Sequence, residues 1–153
     1  MPPLTRSQTM ARIRSRDTGP ELAVRRALHA AGLRFRLHRR NLPGTPDLVL
    51  ARHRAVVFVH GCFWHRHEAC SRARMPATRR EYWAPKFARN VARDSAAQAA
   101  LLAAGWRVHV VWGCDVTPAR LARLAAAIRT GASAEGSART PLKTAARAGL
   151  KPA

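Results

Sequence analysis

PDLVLARHRAVVFVH, residues 46–60, is the stretch that decides the fold. It holds two apolar runs, Asp47 to Leu50 and Ala55 to Val59, which the short polar turn Arg52-His53-Arg54 separates. Two apolar runs joined in this way are typical of a β-hairpin. The hairpin would place Asp47, at the start of one strand, beside His60, at the end of the other.

The residues before the hairpin predict a helix and a further strand. Thr18-Gly19-Pro20-Glu21 has the spacing of a capping box with proline in the first turn, and the apolar positions that follow stop at Gly32. Leu33 to His38 is typical of a strand. Asn41 to Pro46 supplies the residues of a turn.

The residues after the hairpin predict a loop, a long helix, a strand and a last helix. The loop, from His60 to about Arg80, is rich in His, Cys and Arg, and the long helix is expected from near Pro85 to Gly105. The long helix has an apolar stripe at Phe87, Val91, Leu101 and Leu102, and a polar stripe at Lys86, Asn90 and Asp94. Alternation then predicts a strand through Trp106, Val108, Val110 and Trp112. Thr117-Pro118 opens a helix that ends near Arg129.

The fold class expected from this order is α/β, a small mixed sheet flanked by helices in a single domain over residues 1–130. Residues 1–17 form a basic amino-terminal arm, in which Arg16 and its neighbours suit DNA phosphates; a transit peptide is the alternative. Residues 131–153 combine Gly, Ala, Ser, Pro, Lys and Arg without a pattern. We expect a disordered basic tail there.

The charge of the chain predicts a polyanionic partner. The 153 residues contain 28 Lys and Arg against 8 Asp and Glu, a formal net charge of +20. Such a surface attracts nucleic acid and gains affinity by releasing its counterions. A GC-rich genome would explain arginine in place of lysine but not the shortage of acids. The apolar runs are too short to span a bilayer or to form a secretion signal, so we expect neither.

Three cysteines and one histidine predict a structural zinc site. Cys62, His67 and Cys70 lie close together in the loop, and Cys114 directly follows the last strand. Thiolates and imidazoles are the ligands that zinc prefers, and four protein ligands make a closed structural site. Buried free cysteines are the alternative, and His65 competes with His67 as a ligand.

Asp47 and two histidines form a candidate hydrolytic site. Asp47 can hold Mg²⁺, and His60 or His65 can act as the base that activates water. Two alternatives are structural: Asp47 could cap a turn, and the capping box already accounts for Glu21.

Aromatic residues in basic surroundings are candidates for DNA contact. Phe63-Trp64 lies in the loop and Tyr82-Trp83 precedes the long helix. Such side chains stack on bases or wedge between them. For Phe63 and Trp64 we favour DNA contact, whereas Trp106 and Trp112 lie on an alternating strand and favour the core.

Several motifs in one order resemble the very short patch repair (Vsr) DNA mismatch endonucleases over roughly residues 5 to 128. The motifs are His60-Gly-Cys-Phe-Trp-His65, Leu42-Pro-Gly-Thr-Pro-Asp47, Pro76-Ala-Thr-Arg-Arg-Glu-Tyr-Trp83, Lys86, Asn90-Val-Ala-Arg-Asp94 and Gly105-Trp-Arg-Val. The resemblance implies a restriction-endonuclease-like fold. It also implies a Mg²⁺-dependent nick 5′ to the thymine of a T·G mismatch, which arises when 5-methylcytosine deaminates.

The resemblance also implies roles for individual residues. Asp47 resembles the Mg²⁺ ligand, with the backbone carbonyl of Val59 as a second ligand. His65 resembles the general base, His60 a phosphate or water partner, and Glu21 the residue that orients the histidine. The implied zinc ligands are Cys62, His67, Cys70 and Cys114. The implied DNA contacts are the aromatic wedge of Phe63, Trp64 and Trp83, the inserted Met10, and Lys86 and Asn90 at the mismatched pair.

Two positions depart from the family pattern. Val59 stands where a threonine is familiar. Relative to that pattern, Ala69 is an extra residue that places Cys70 one residue further from His67. Two other functions remain open: a zinc-stabilised DNA-binding module without catalysis, and a nuclease of the same fold with a different DNA specificity. We expect a monomer in the bacterial cytoplasm, associated with the nucleoid and with mismatch-repair proteins as partners.

Overall fold

The computed structural model describes Pro3 and residues 17–131, which form three helices and four strands. The elements in chain order are α1 (Gly19–Ala30), β1 (Arg36–Leu37), β2 (Leu48–Leu50), β3 (Ala55–His60), α2 (Arg80–Ala103), β4 (Arg107–Trp112) and α3 (Pro118–Thr130). Met10, Arg16 and the tail after residue 131 lie outside the described residues. None of the helices that the structure describes combines the length and the apolar character of a membrane-spanning segment.

The strands form one mixed sheet in the order β1-β2-β3-β4, which confirms the predicted α/β class. β2 and β3 are the predicted antiparallel hairpin, with Leu48 opposite Val57 and Leu50 opposite Ala55. Arg54 closes the turn in a left-handed conformation with φ 51°. β3 then pairs in parallel with β4, and this register brings His60 beside Trp112.

Helices cover both faces of the sheet. α1 and α3 pack with Val57, Val111 and their neighbours on one face, while Leu101 of α2 packs with Val56 and Val110 on the other. Because successive side chains of a strand point to opposite faces, a strand covered on both sides has a continuously apolar sequence. This explains why residues 55–59 are apolar without alternation.

Two arginines bind the carboxyl-terminal ends of helices. The Arg107 guanidinium donates to the carbonyls of Ala127 and Ile128 at the end of α3, at 3.2 and 3.0 Å. Arg54 donates to the carbonyl of Ala104 after α2 at 2.9 Å. Carbonyls at a helix end lack partners within the helix, so these contacts stabilise it. Part of the arginine excess is therefore structural.

The long helix differs from the prediction at its start. It begins at Arg80 rather than near Pro85, which lies inside the helix. The ring of Trp83 stacks on that of Phe87 one turn later, with centroids 5.5 Å apart. This packing extends the helix upstream of a proline that removes only one backbone donor.

Three smaller expectations also need correction or refinement. The first strand is only Arg36–Leu37 rather than Leu33 to His38. Leu102, expected on the apolar stripe, is 59% exposed. Trp106 and Trp112 are partly buried against the core cluster beneath α2, which agrees with the prediction that they belong to the core.

Candidate active site and metal-binding cluster

A cleft of about 440 Å³ opens where β2 begins and β3 ends, beside α2. Seven residues that the sequence analysis singled out for a role at the site line it: Glu21, Asp47, Val59, His60, Trp64, His65 and Asn90. Arg93 and Asp94 of α2 also line it. The hairpin supplies the carboxylate, the loop supplies two rings, and the polar stripe of α2 closes the side.

Asp47 is held across the hairpin rather than in a turn. Its Oδ2 accepts the N–H of Val59 at 2.7 Å. Burial raises the pKa of Asp47 from 3.8 to about 6, with a contribution from the negative charge of Glu21, although the Val59 N–H and two histidines act in the opposite direction. A partly desolvated carboxylate is best stabilised by a cation, and carboxylate and carbonyl oxygens are the ligands that Mg²⁺ prefers. Asp47 therefore fits a magnesium ligand.

His65 is oriented by Asp94. Its Nδ1 lies 2.6 Å from Oδ2 of Asp94. A carboxylate only accepts hydrogen bonds, so Nδ1 carries the hydrogen and Nε2 of the neutral ring is left to accept a proton. This is the arrangement that a general base needs. The sequence pattern predicts Asp94 on the polar stripe of α2 but does not reveal its contact with His65.

A chain of rings connects His60 and His65 to the cysteine cluster. The rings of His60 and His65 are stacked, with centroids 3.9 Å apart, and the edge of Trp112 meets His60 at 5.3 Å. The other neighbour of Trp112 is the ring of His67, stacked at 4.2 Å. These contacts place the cysteine cluster and the cleft on opposite ends of one row of packed rings.

Cys62, His67, Cys70 and Cys114 converge, with ligand atoms all within 4.8 Å of one another. A tetrahedral zinc with bonds of about 2.3 Å separates its sulfur ligands by about 3.8 Å, so the four residues fit this ion. His65 belongs to the separate group with His60 and Asp94, which removes it as a competitor of His67.

The backbone at Ala69 accommodates the spacing at which the sequence departs from the family pattern. Ala69 adopts φ 55°, in the left-handed region that non-glycine residues rarely occupy. The chain turns sharply there, and Cys70 still reaches the cluster. Only Cys62 of the three cysteines is buried, which disagrees with the alternative of buried free thiols.

An aromatic wall borders the cleft, formed by Phe63, Trp64, Tyr82, Trp83 and Phe87. The Phe63 ring lies 5.0 Å from Trp64, 5.5 Å from Trp83 and 5.1 Å from Phe87. Lys86 Nζ lies 5.5 Å from the Trp64 ring, within the range of a cation–π contact. Phe63, Trp64 and Trp83 are half-buried, so the predicted wedge residues pack together while part of each remains at the surface.

Asn90 and Glu21 make contacts within the protein. Asn90 Nδ2 donates to the carbonyl of Trp64 at 3.2 Å, which fixes the loop on α2. Glu21 is buried, and its Oε2 accepts from the backbone N–H of Asp17 at 3.1 Å and from Arg25 at 3.2 Å. Thr18 caps α1 as expected by accepting the N–H of Glu21. The roles of Glu21 in orienting a histidine and of Asn90 at the mismatch stay predictions.

Comparison with known proteins gives consistent matches. The family described as DNA mismatch endonuclease Vsr matches residues 1–72. The type II nicking enzyme V.XorIIP of Xanthomonas oryzae pv. oryzae is 53% identical over 115 residues, 75% of this chain and 84% of the relative. The DNA mismatch endonuclease Vsr of Escherichia coli K12 is 46% identical over 110 residues, 72% of this chain and 70% of the relative. The type II nicking enzyme V.NmeAIP of Neisseria meningitidis serogroup A is 38% identical over 111 residues, 72% of this chain and 79% of the relative.

Proposed function

Because the chain belongs to the DNA mismatch endonuclease Vsr family, and so to a family of endonucleases, we propose that it nicks one strand of duplex DNA in a Mg²⁺-dependent reaction 5′ to the thymine of a T·G mismatch. Such mismatches arise from deamination of 5-methylcytosine. The observation that carries the proposal is the convergence of the partly buried carboxylate of Asp47 with His65, whose Nδ1 is held by Asp94.

Asp47 and the backbone carbonyl of Val59 would hold the magnesium ion. When bound, the ion would supply positive charge to the phosphodiester as negative charge develops on it. The substitution of valine for threonine at position 59 leaves a backbone carbonyl unchanged. Val59 also holds the carboxylate through its N–H, so in this proposal one residue would serve the site with both of its backbone groups.

His65 would take the proton from the attacking water. Its Nε2 accepts the proton as the water oxygen bonds to phosphorus and one bridging phosphodiester oxygen leaves. The negative charge of Asp94 stabilises the imidazolium that forms, as a buried carboxylate does when it orients a histidine. His60, stacked against His65, keeps the ring plane fixed and lies in position to contact phosphate or water.

The aromatic wall and the basic surface would bind the DNA. We assign the opening of the duplex beside the mismatch to Phe63, Trp64 and Trp83, because large rings at a surface can replace the stacking of bases. Lys86 and Asn90 lie on the helix next to this wall and suit contact with the mismatched pair. Met10 and Arg16, outside the described residues, would belong to an arm that adds contacts with DNA.

Zinc would have a structural role at Cys62, His67, Cys70 and Cys114. These ligands join the loop after β3 to the segment after β4, and His67 packs on Trp112 next to the catalytic rings. We further propose that the protein acts as a monomer at the bacterial nucleoid in the cytoplasm, with mismatch-repair proteins as partners.

A second candidate is a nuclease of the same fold with a different DNA specificity. The observation in its favour is that several relatives are named type II nicking enzymes rather than mismatch endonucleases. The same cleft would perform the same hydrolysis, and only the contacts of the wall and of α2 with DNA would differ.

The proposal is tested with a duplex labelled on the strand that carries the thymine. Duplexes with one T·G pair in several cytosine-methylation contexts are compared with matched duplexes, with and without Mg²⁺. We expect a single Mg²⁺-dependent nick 5′ to the mismatched thymine, absent with Asp47→Ala and retained with Asp115→Ala, an exposed carboxylate distant in sequence from the hairpin. Equal cutting of matched duplexes would favour the second candidate. Binding without cutting in every context would contradict both.

A further inference from the structure

Arg25 of α1 lies among the polar groups that surround the cleft carboxylates. Its Nη1 is 2.7 Å from Oδ1 of Asp17, and its Nη2 is 3.2 Å from Oε2 of Glu21 and 3.1 Å from Nε2 of His38. Asp17, Glu21 and His38 otherwise form a group with the spacing of metal ligands. Because the guanidinium bonds to these groups, the cation of this cluster is the arginine itself.

The contact with Arg25 determines which nitrogen of His38 carries the hydrogen. Arginine only donates hydrogen bonds, so Nε2 of His38 must accept, and the hydrogen of the neutral ring lies on Nδ1. Nδ1 faces Oδ1 of Asp47 at 3.8 Å. This separation exceeds hydrogen-bond range, so the N–H acts on the carboxylate as a directed dipole.

The backbone of His38 is also tied to Asp47. His38 adopts φ 46°, in the left-handed region that is uncommon for a residue with a side chain. Its N–H donates to the backbone carbonyl of Asp47 at 3.3 Å. The side chains of Arg25 and His38 are only 14% and 16% exposed, so both are held inside the fold.

We propose that Arg25 and His38 are positioning residues for Asp47. Arg25 selects the Nδ1–H tautomer of His38, which directs that N–H at Oδ1, while the Val59 N–H holds Oδ2. With Oδ2 held by the Val59 N–H, this dipole favours one orientation of the carboxylate before a metal ion binds. The inference deepens the proposed function, on which it rests for the role of Asp47 as a metal ligand.

The tautomer is tested by nitrogen NMR of the zinc-loaded full chain labelled at histidine, with the His38 signals assigned from their loss in His38→Gln. We expect the protonated nitrogen of His38 to be Nδ1 in the wild type, and Nε2 to gain the hydrogen in Arg25→Ala. Arg26→Ala, an exposed neighbour on the same helix, is the matched control and leaves the tautomer unchanged. A wild-type ring protonated at Nε2, or a tautomer indifferent to Arg25→Ala, would overturn the proposal.

The consequence for the metal site is measured without DNA, as the affinity for Mn²⁺ by electron paramagnetic resonance with Asp47→Ala as background. Residues behind metal ligands typically alter affinity about 10–100-fold, and we expect that loss in Arg25→Ala and His38→Leu. His38→Gln, whose amide has both an acceptor for Arg25 and a donor for Asp47, should stay within about twofold of the wild type. The Gln and Leu variants are compared after circular dichroism shows equal folding.

The outcomes separate this inference from the proposed function. If His38→Gln loses as much Mn²⁺ affinity as His38→Leu, or if neither Arg25→Ala nor His38→Leu loses any, the positioning role is wrong. A wild-type protein that never nicks DNA would refute the proposed function alone, because the tautomer and the Mn²⁺ affinity are measured without cleavage. If Arg25→Ala unfolds, the Mn²⁺ affinities of His38→Gln and His38→Leu still test the positioning role.

Discussion

Replacing Asp47 by asparagine should stabilise the metal-free protein while abolishing its nuclease activity. The folded-state pKa of Asp47 is about 6 against 3.8 for an exposed carboxyl, a difference of about two pKa units, which corresponds to about 3 kcal/mol. Because the folded value is the higher one, the protonated form of Asp47 contributes this free energy to the stability of the fold. The contribution is fully present below pH 3.8 and is lost as the pH rises through 6. At pH 7.5 the ionised carboxylate therefore destabilises the fold by up to this amount.

Asparagine removes the charge and keeps an oxygen that can accept the Val59 N–H, so the substitution should recover much of the 3 kcal/mol. At about 2–4 °C per kcal/mol for a chain of this size, recovery of the full amount would raise Tm by about 6–12 °C, and we expect a rise up to that limit. The assay is thermal unfolding at pH 7.5 in buffer without divalent ions apart from the zinc proposed for the cysteine cluster. Mg²⁺ should then raise the Tm of the wild type but not that of Asp47→Asn.

The matched control is Glu81→Gln, which removes an exposed carboxylate from the first turn of α2. Its effect should stay within about 1 kcal/mol, because exposed charges near a helix end contribute little. A Tm for Asp47→Asn at or below that of the wild type would refute the reasoning, since it would mean that burial does not disfavour the charged form. An unchanged Tm on addition of Mg²⁺ would refute Asp47 as the ligand.

Three further predictions concern the base, the pH dependence and the zinc ligands. Asp94→Asn should lower kcat for nicking by about 10²–10⁴-fold with duplex affinity within twofold, since the amide can donate to Nδ1 of His65 and move the hydrogen to Nε2; single-turnover kinetics and a binding titration measure the two. Burial, with the charges of Arg107 and Arg120, lowers the pKa of His109 to about 4. Between pH 6.5 and 4 the unfolded chain therefore binds a proton at His109 that the folded protein does not. On acidification across this range, the free energy of unfolding measured in urea should fall by up to about 3 kcal/mol more for the wild type than for His109→Leu. Cys114→Ala should weaken zinc binding at least tenfold, because even residues behind a ligand cost about 10–100-fold, and a chelator competition measures it.

Each of these expectations has a result that contradicts it. Asp94→Asn with wild-type kcat would exclude His65 as a base that depends on its tautomer. Equal acid sensitivity of His109→Leu and the wild type would mean that His109 is protonated in the folded protein. Full zinc affinity in Cys114→Ala would remove Cys114 from the ligand set, and Arg120→Ala, on the following helix, is a control that should leave zinc binding unchanged.

The hairpin and the proximity of Asp47 to His60 could be predicted from the sequence because they depend on local pattern. An apolar run, a polar turn and a second apolar run determine the register, and the register determines which strand ends are neighbours. The start of α2 could not be predicted in the same way. Packing of Trp83 on Phe87 is decided by the tertiary fold, and it overrides the usual position of proline in a first turn.

The metal-binding cluster and the candidate active site also contain some contacts that the sequence predicted and others that depend on the tertiary fold. The chemistry of Cys62, Cys70 and Cys114 predicted a zinc cluster, but spacing could not choose between His65 and His67, since both lie in one loop. The path of that loop over α2 decides the choice and brings Asp94 to His65, 29 residues away in sequence. The Arg25 and His38 contacts likewise depend on three elements meeting, which a sequence pattern does not encode.

The most direct test of the catalytic site is the single-turnover rate of nicking of a T·G duplex in Mg²⁺ by the wild type and by His65→Asn, both loaded with zinc. We expect one nick 5′ to the mismatched thymine for the wild type. We expect a rate at least about 10²-fold lower for His65→Asn at unchanged duplex affinity. Cutting by His65→Asn at the wild-type rate, or tight binding of the duplex by the wild type with no nick, would contradict the assignment of the cleft as the catalytic site.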